Sequence, residues 1–246
     1  MLPDLSDPPL ILPAEPVAPE SYDNLDVYLP ADGLPAPCVL LVHGLLPEKP
    51  AVTPRHSRFY RDYASHLARR GIAAGVVDHD LVNGFLYPEA LATVTTAFDR
   101  LRSLPTTDGD SVGAWFFSGG GPLAYPLLAE PPSWLRCVEL TYPVLPGPGT
   151  PGWPTPEQAI AGIASVPTYL TLVEHEIPDF VDGQNGFVEQ ASKVDAPLEI
   201  QRVDGVGHGF DATADERHAR DAVSAGLDWM VEHMASRHPQ PGRGFL

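Results

Sequence analysis

Two glycine-rich stretches hold the side chains best suited to covalent chemistry. Ser118 follows the apolar run Val112 to Phe117 and is itself followed by Gly119, Gly120 and Gly121. A serine at a sharp strand-to-helix turn presents its hydroxyl from a strained backbone, and the residue two beyond it must be small for the helix to pack against the strand. Gly120 meets that need. Phe116, two residues before the serine, departs from the small residue that the G-x-S-x-G pattern carries there. Serine is a weak nucleophile until a base takes its proton. The second stretch, G-V-G-H-G-F-D from Gly205 to Asp211, offers that base: His208 sits in a glycine-rich loop late in the chain.

A third stretch, V-H-G-L-L-P from Val42 to Pro47, directly follows an apolar run that begins at Cys38. A glycine-containing loop at this point supplies one backbone N–H to an oxyanion, and the residue after the nucleophile supplies the other. Leu45 and Gly119 are the expected donors. His43 reads as a brace for the loop. The charged cluster Asp78, His79 and Asp80 follows another apolar run and reads as loop caps or substrate contacts.

These loops need a scaffold, and the hydrophobic pattern predicts one. Apolar runs suited to strands are expected at Tyr22 to Leu29 (an edge strand), Cys38 to Val42, Ile72 to Val77, Val112 to Phe117, Cys137 to Tyr142, Thr168 to Val173 and Leu198 to Val203. Helical spacing is expected over Arg55 to Arg70, Pro88 to Leu104, Gly120 to Ala129, Pro156 to Ala164, Asn185 to Val194 and Ala214 to Ala235. Such alternation predicts an α/β domain, a mostly parallel sheet with helices on both faces, whose reactive groups collect beyond the carboxyl ends of the strands. Residues 1–21 read as an extended Pro-rich arm and 22–246 as a single domain.

On these marks the chain resembles the α/β-hydrolase superfamily, and within it the dienelactone-hydrolase-like serine esterases. The resemblance rests on V-L-L-V-H-G, W-F-F-S-G-G-G, the T-Y-P run at Thr141 to Pro143, and G-H-G-F. It implies an α/β-hydrolase fold, with nucleophile, acid and base in that chain order: Ser118, a carboxylate, and His208. In this fold the acid follows the strand placed at Thr168 to Val173, where the chain reads V-E-H-E-I-P-D. Glu176 is the choice, just past the strand end and at a separation from His208 typical of the family. Asp179, Glu174, or no acid at all stand as alternatives. Dienelactone hydrolase itself uses a cysteine, so a serine points to its esterase relatives. The short stretch Val144 to Thr155 leaves no room for a separate lid domain and predicts an open cleft for small substrates, with Trp153 near one wall.

The expected reaction is hydrolysis of a small carboxylic ester or lactone through an acyl-enzyme. Alternatives are a peptidase or acyltransferase on the same triad, or a catalytically idle relative that binds a ligand or partner. No cofactor is expected: no G-x-G-x-x-G opens a helix after the first strand, there is no P-loop, and no Cys/His cluster has zinc spacing. Cys38 and Cys137 lie in apolar runs and read as core thiols, with no metal site.

Composition sets outer limits. The 29 prolines and 22 glycines stay below the ~25–30% share at which low-complexity chains begin. A net charge of −17 repels phosphate backbones and anionic headgroups, so neither nucleic acid nor a membrane surface is an expected partner. The first residues, acidic and broken by proline, do not read as a secretory signal, and a cytoplasmic location is the expectation. The oligomeric state is not indicated.

Overall fold

The computed structural model describes residues 7–46, 50–81, 86–145 and 153–235. Eight strands form one sheet: β1 (Pro19–Tyr22), β2 (Leu25–Tyr28), β3 (Ala36–Val42), β4 (Ala73–Val77), β5 (Thr107–Phe117), β6 (Leu135–Thr141), β7 (Thr168–His175) and β8 (Leu198–Gly207). Their order across the sheet is β1-β2-β4-β3-β5-β6-β7-β8. The first two strands run antiparallel to their neighbours, and all pairings from β4 to β8 are parallel.

Helices cover both faces, which is why β3, β4 and the Val112 to Phe117 part of β5 are apolar throughout. Alternate residues of β3 serve opposite cores, as the two-residue period of a strand demands. Cys38, Leu40 and Val42 pack with Val94, Phe98 and Leu101 of α2 (Tyr87–Ser103), Leu128 of α3 (Ala124–Ala129), Ile160 of α4 (Pro156–Ile163) and Phe187 of α5 (Pro178–Lys193). Val39 and Leu41 pack with Tyr63 and Leu67 of α1 (Arg58–Arg69) and Leu227 and Met230 of α7 (Arg217–Ala235). Cys38 and Cys137 are free, buried, and on opposite sides of the sheet.

Several boundaries differ from the sequence expectation. The single edge strand expected over Tyr22 to Leu29 is a two-strand hairpin, β1 and β2, that turns at Asp23, whose φ is +46°. The hairpin takes in Pro19 to Ser21, so the first strand starts inside the segment read as an arm. Residues 7–18 lie along α1: Ala14 N–H donates to Asp62, Val17 N–H to Ser65 Oγ, and the Leu12 carbonyl pairs with His66. Residues 1–6 of that arm lie outside the described residues.

The helix expected from Gly120 begins as a 3-10 turn over Ser118–Leu123 and becomes α3 only at Ala124. Pro122 lacks an N–H for the α-helical pattern, and three glycines resist it. The α5 helix starts seven residues before the expected Asn185, with Pro178 in its first turn and Asp179 beside the positive helix end. The last expected helix, from Ala214, begins at Arg217 as α7, and a short helix outside the expectation, α6 (Phe210–Thr213), precedes it.

Candidate active site

Ser118 leaves the carboxyl end of β5 with φ +47°, a left-handed conformation that costs a non-glycine residue about 1–2 kcal/mol. The strands on either side fix where it emerges: Phe116 pairs with Val42 of β3 and Phe117 with Thr141 of β6. The segment beyond β6 is tied back to the turn, with Val144 N–H donating to the Ser118 carbonyl at 2.8 Å. Phe116 is fully buried in the core on the α2 side, so the large residue two before the serine packs into the core without displacing the turn.

The other two residues of interest come from neighbouring strands. β7 and β8 run past the ends expected at Val173 and Val203, and a register shift brings His175 opposite Gly207. The next residues, Glu176 and His208, therefore leave the sheet side by side. His208 Nδ1 lies 2.7 Å from Glu176 Oε1, and His208 Nε2 lies 2.7 Å from Ser118 Oγ. Ser118, His208 and Glu176 thus form one hydrogen-bonded chain.

Glu176 is well supported. Its side chain is 2% exposed, Gln184 Nε2 donates to Oε2 at 2.9 Å, and Ile177 N–H donates to Oε1 at 2.7 Å. Burial alone would raise its pKa, but hydrogen bonds from His208, Gln184 and Ile177, and the attraction of His208, outweigh burial and hold the carboxyl below its ordinary value. Gln184 also donates to the Pro143 carbonyl, linking the acid to the segment beyond β6. The other two carboxylates lie in exposed positions. Glu174 is exposed and accepts from Gly205 N–H, and Asp179 is exposed in the first turn of α5.

The His208 imidazole lies between two aromatic rings, Tyr142 at 4.7 Å and Phe180 at 5.4 Å between centroids. With Nδ1–H donated to a carboxylate, Nε2 is free to accept the serine proton, so the geometry fixes one tautomer.

The Leu45 and Gly119 backbones meet in the same place. A Cβ added to Gly119 would overlap Leu45 Cβ and N, so only glycine allows this approach. Gly120 is likewise pressed against β3, with an added Cβ 2.6 Å from the His43 carbonyl. The expected packing need at Gly120 is therefore met, though against the loop after β3.

His43 and His79 are both buried and stack with ring centroids 3.6 Å apart. Burial pushes the His43 pKa down to about 4, and burial plus the neighbouring His43 holds His79 well below the ordinary value. His43 thus stands where a brace would, whereas His79 is the partner of that brace, a pairing invisible in the sequence. Asp78 forms an ion pair with Arg55 at 3.0 Å.

Sequence reasoning gave no role to Gln184, Tyr142 or Asp211. Asp211 lies within the G-H-G-F-D run and is fully buried, accepting hydrogen bonds from Tyr63 and Tyr142. On the other flank of the turn, Tyr87 hydroxyl donates to the Gly119 carbonyl and Trp153 Nε1 to the Pro122 carbonyl, with the two rings 5.8 Å apart. Trp153, expected near one wall of the cleft, is thus held against the 3-10 turn and is not in the lining of the cavity beside the site. Pro47 and residues 146–152 of the adjoining loops lie outside the described residues.

A cavity of ≈ 250 Å³ borders the site. Leu46 and Gly209, each one residue beyond a site residue, form part of its wall, together with Tyr142 against His208. The rest is mainly apolar, with Val52, Phe59 and Tyr60. Among the described residues no group of three His, Cys, Asp or Glu is placed to hold a metal ion, and no helix is long and apolar enough to cross a membrane.

No protein-family model matches the sequence, and no curated protein matches it. Solved structures do resemble the chain. The native structure of esterase 2, a thermophilic esterase from the planctomycete Thermogutta terrifontis, superposes with TM-score 0.66 at 19% identity, covering 96% of this chain and 97% of that one. The same protein with propionate bound gives TM-score 0.65 at 19% identity, over 94% and 98% of the two chains. Its paraoxon-phosphorylated form gives 0.66 at 19% identity, over 91% and 96%. At that identity the likeness establishes the fold, the α/β-hydrolase fold, with its mostly parallel eight-stranded sheet.

Proposed function

We propose that the protein is a serine hydrolase that cleaves a small, uncharged carboxylic ester or lactone through an acyl-enzyme. The observation that carries this reading is the chain of two 2.7 Å hydrogen bonds from Ser118 through His208 to Glu176, set at the ends of three parallel strands. The fold alone hosts many activities, so the site and not the fold bears the argument.

In this reading Ser118 Oγ attacks the ester carbonyl as its proton passes to His208 Nε2. Glu176 stabilises the resulting imidazolium without taking the proton. The N–H groups of Leu45 and Gly119 hold the oxyanion, a contribution of about 3–4 kcal/mol per donor where such groups have been removed. Nε2 then protonates the leaving alcohol, and a water activated by the same nitrogen attacks the acyl carbonyl, returning the acid product and the free hydroxyl.

The cavity beside the site, lined by Leu46, Tyr142 and Gly209 though by neither Ser118 nor His208, supports the substrate class. Its ≈ 250 Å³ exceeds the ~150 Å³ that suffices for benzene in an engineered apolar cavity, so a short acyl chain or a single ring fits. No Lys or Arg is among its described lining residues, Asp7 lies at its rim, and the chain carries −17 overall. A substrate bearing its own carboxylate is thereby disfavoured. This moves the reading away from dienelactones, which carry one, and towards neutral esters of the related esterases.

A fluorophosphonate probe is the direct test. Labelling of the wild type that disappears in Ser118→Ala, together with hydrolysis of acetyl and butyryl aryl esters faster than of long-chain ones, supports the reading. An unlabelled wild type overturns it.

A further inference from the structure

The geometry points to His79 as a positioning residue for the oxyanion hole, acting through His43 on the backbone that carries the Leu45 N–H. This rests on the reading of Ser118 as the nucleophile. Neither His43 nor His79 is a link in the Ser118–His208–Glu176 chain, yet between them they bind the loop after β3 at successive points.

The hydrogen bonds form a closed set with one consistent assignment of protons. The His79 backbone N–H donates to His43 Nε2 at 3.2 Å, so the His43 proton resides on Nδ1, which donates to the Gly44 carbonyl at 2.7 Å. The His79 side chain answers from the other direction: Nε2 donates to the His43 carbonyl at 3.1 Å, while Nδ1 accepts from Leu81 N–H at 3.4 Å. One residue further, Leu46 N–H donates to the Leu81 carbonyl at 3.0 Å. Segments 43–46 and 79–81 are thus joined on both sides of Leu45, and Leu45 itself lies against Gly119.

Each ring must be neutral for this arrangement, because a second ring proton would turn an accepting nitrogen into a donor facing an N–H. Burial keeps them so, against the pull of Asp78 and Asp80 on His43. Tyr60 closes the third side, its ring edge-on to His43 at 6.5 Å. An isolated brace on His43 alone would fix the Gly44 carbonyl. The second ring fixes the His43 carbonyl as well, and two adjacent pinned carbonyls set the peptide plane from which the next N–H must point.

The test compares His79→Phe, which keeps a stacked ring and loses both side-chain hydrogen bonds, with His79→Gln, which retains a donor for the His43 carbonyl. The readouts are kcat and KM for a short-chain aryl ester, affinity for an aryl trifluoromethyl ketone whose hemiketal oxyanion occupies the hole, and stoichiometric fluorophosphonate labelling to confirm an intact Ser118 and His208. The expected result for His79→Phe is a kcat lowered at least tenfold, KM within about twofold, and ketone affinity lowered in parallel with kcat. His79→Gln is expected to recover most of both. Should the phenylalanine variant not fold, His79→Met supplies the same loss of hydrogen bonds with a flexible side chain.

A folded, fully labelled variant without the two bonds that keeps kcat and ketone affinity within twofold of wild type overturns the positioning role and leaves the hydrolase reading standing. A wild type that neither hydrolyses esters nor takes the label overturns the hydrolase reading itself, and the positioning role with it.

Discussion

The Tyr142 hydroxyl donates to the buried Asp211 carboxylate at 2.6 Å. Tyr63 donates to the other oxygen at 2.9 Å, and burial still pushes the Asp211 pKa up to about 6 although both tyrosines and His208 favour the ionised form. A raised carboxyl stabilises the fold at low pH and loses that contribution as pH rises from the unfolded value through the folded one. The stability cost of Asp211→Asn relative to wild type should therefore grow as pH falls from about 6 towards 3.8. Thermal unfolding of both proteins at pH 7 and pH 4.5 measures it, and an equal cost at the two values contradicts it.

Glu139 of β6 is 1% exposed, and its Oε2 has no hydrogen-bond partner. Burial drives its pKa well above 4.5, so by the same sign its contribution to stability diminishes as pH rises above 4.5. Glu139→Met replaces a buried carboxyl with an apolar side chain beside Gly226 and Trp115. It is expected to raise the melting temperature at pH 8, by about 2–4 °C for each kcal/mol gained, with the gain shrinking towards pH 4.5.

Glu176→Gln leaves the shape of the acid intact and removes its charge. With His208 no longer held in the right tautomer, kcat on an aryl ester should fall by about 10²–10⁴-fold. Asp179→Asn and Glu174→Gln, on exposed carboxylates, should remain within about twofold. A large loss in either of these, with Glu176→Gln active, reverses the assignment.

Ser118 holds a left-handed backbone that glycine adopts freely. Ser118→Gly and Ser118→Ala both remove the hydroxyl, but only glycine relieves the strain. Chemical denaturation should find the glycine variant more stable than the alanine variant by about 1 kcal/mol. Equal stabilities would mean that the turn stores no strain.

Gly119→Ala adds a methyl group where Leu45 Cβ and N already stand. The loop must yield, separating the two proposed donors, and kcat should fall by at least about a hundredfold, equivalent to about 2.7 kcal/mol. Circular dichroism that matches wild type would assign the loss to the hole.

Much of the fold is legible in the sequence because the apolar runs are long and regularly spaced. From Cys38 onward the alternation of runs and helical stretches yields the parallel sheet directly. The hairpin at the start is obscured because two four-residue strands with only Asp23 and Asn24 between them mimic one run. The first turns of α5 are obscured by Asp182, Gly183 and Asn185, residues typical of loops, which the helix carries because Pro178 starts it and Gln184 and Phe187 bury one face. Ser118 and His208 stand out by their glycines. The carboxylate nearest His208 does not, since Glu174, Glu176 and Asp179 crowd into six positions and only the pairing of His175 with Gly207 separates them. The stack of His43 on His79 joins residues 36 apart and leaves no local trace.

The hydrogen bond from Ile11 N–H to the Asp211 carbonyl, with Leu10 buried beside α7 and β8, ties the beginning of the chain to the loop of His208. During synthesis Ile11 emerges from the ribosome long before its partner exists. The contacts of the leading segment with α1 can form early, but the Ile11 bond must wait until nearly the whole chain has been made. Ser118 meets the same delay, because β8 and His208 are among the last pieces delivered. The 2.7 Å contact between Ser118 and His208 is therefore among the last the chain can form.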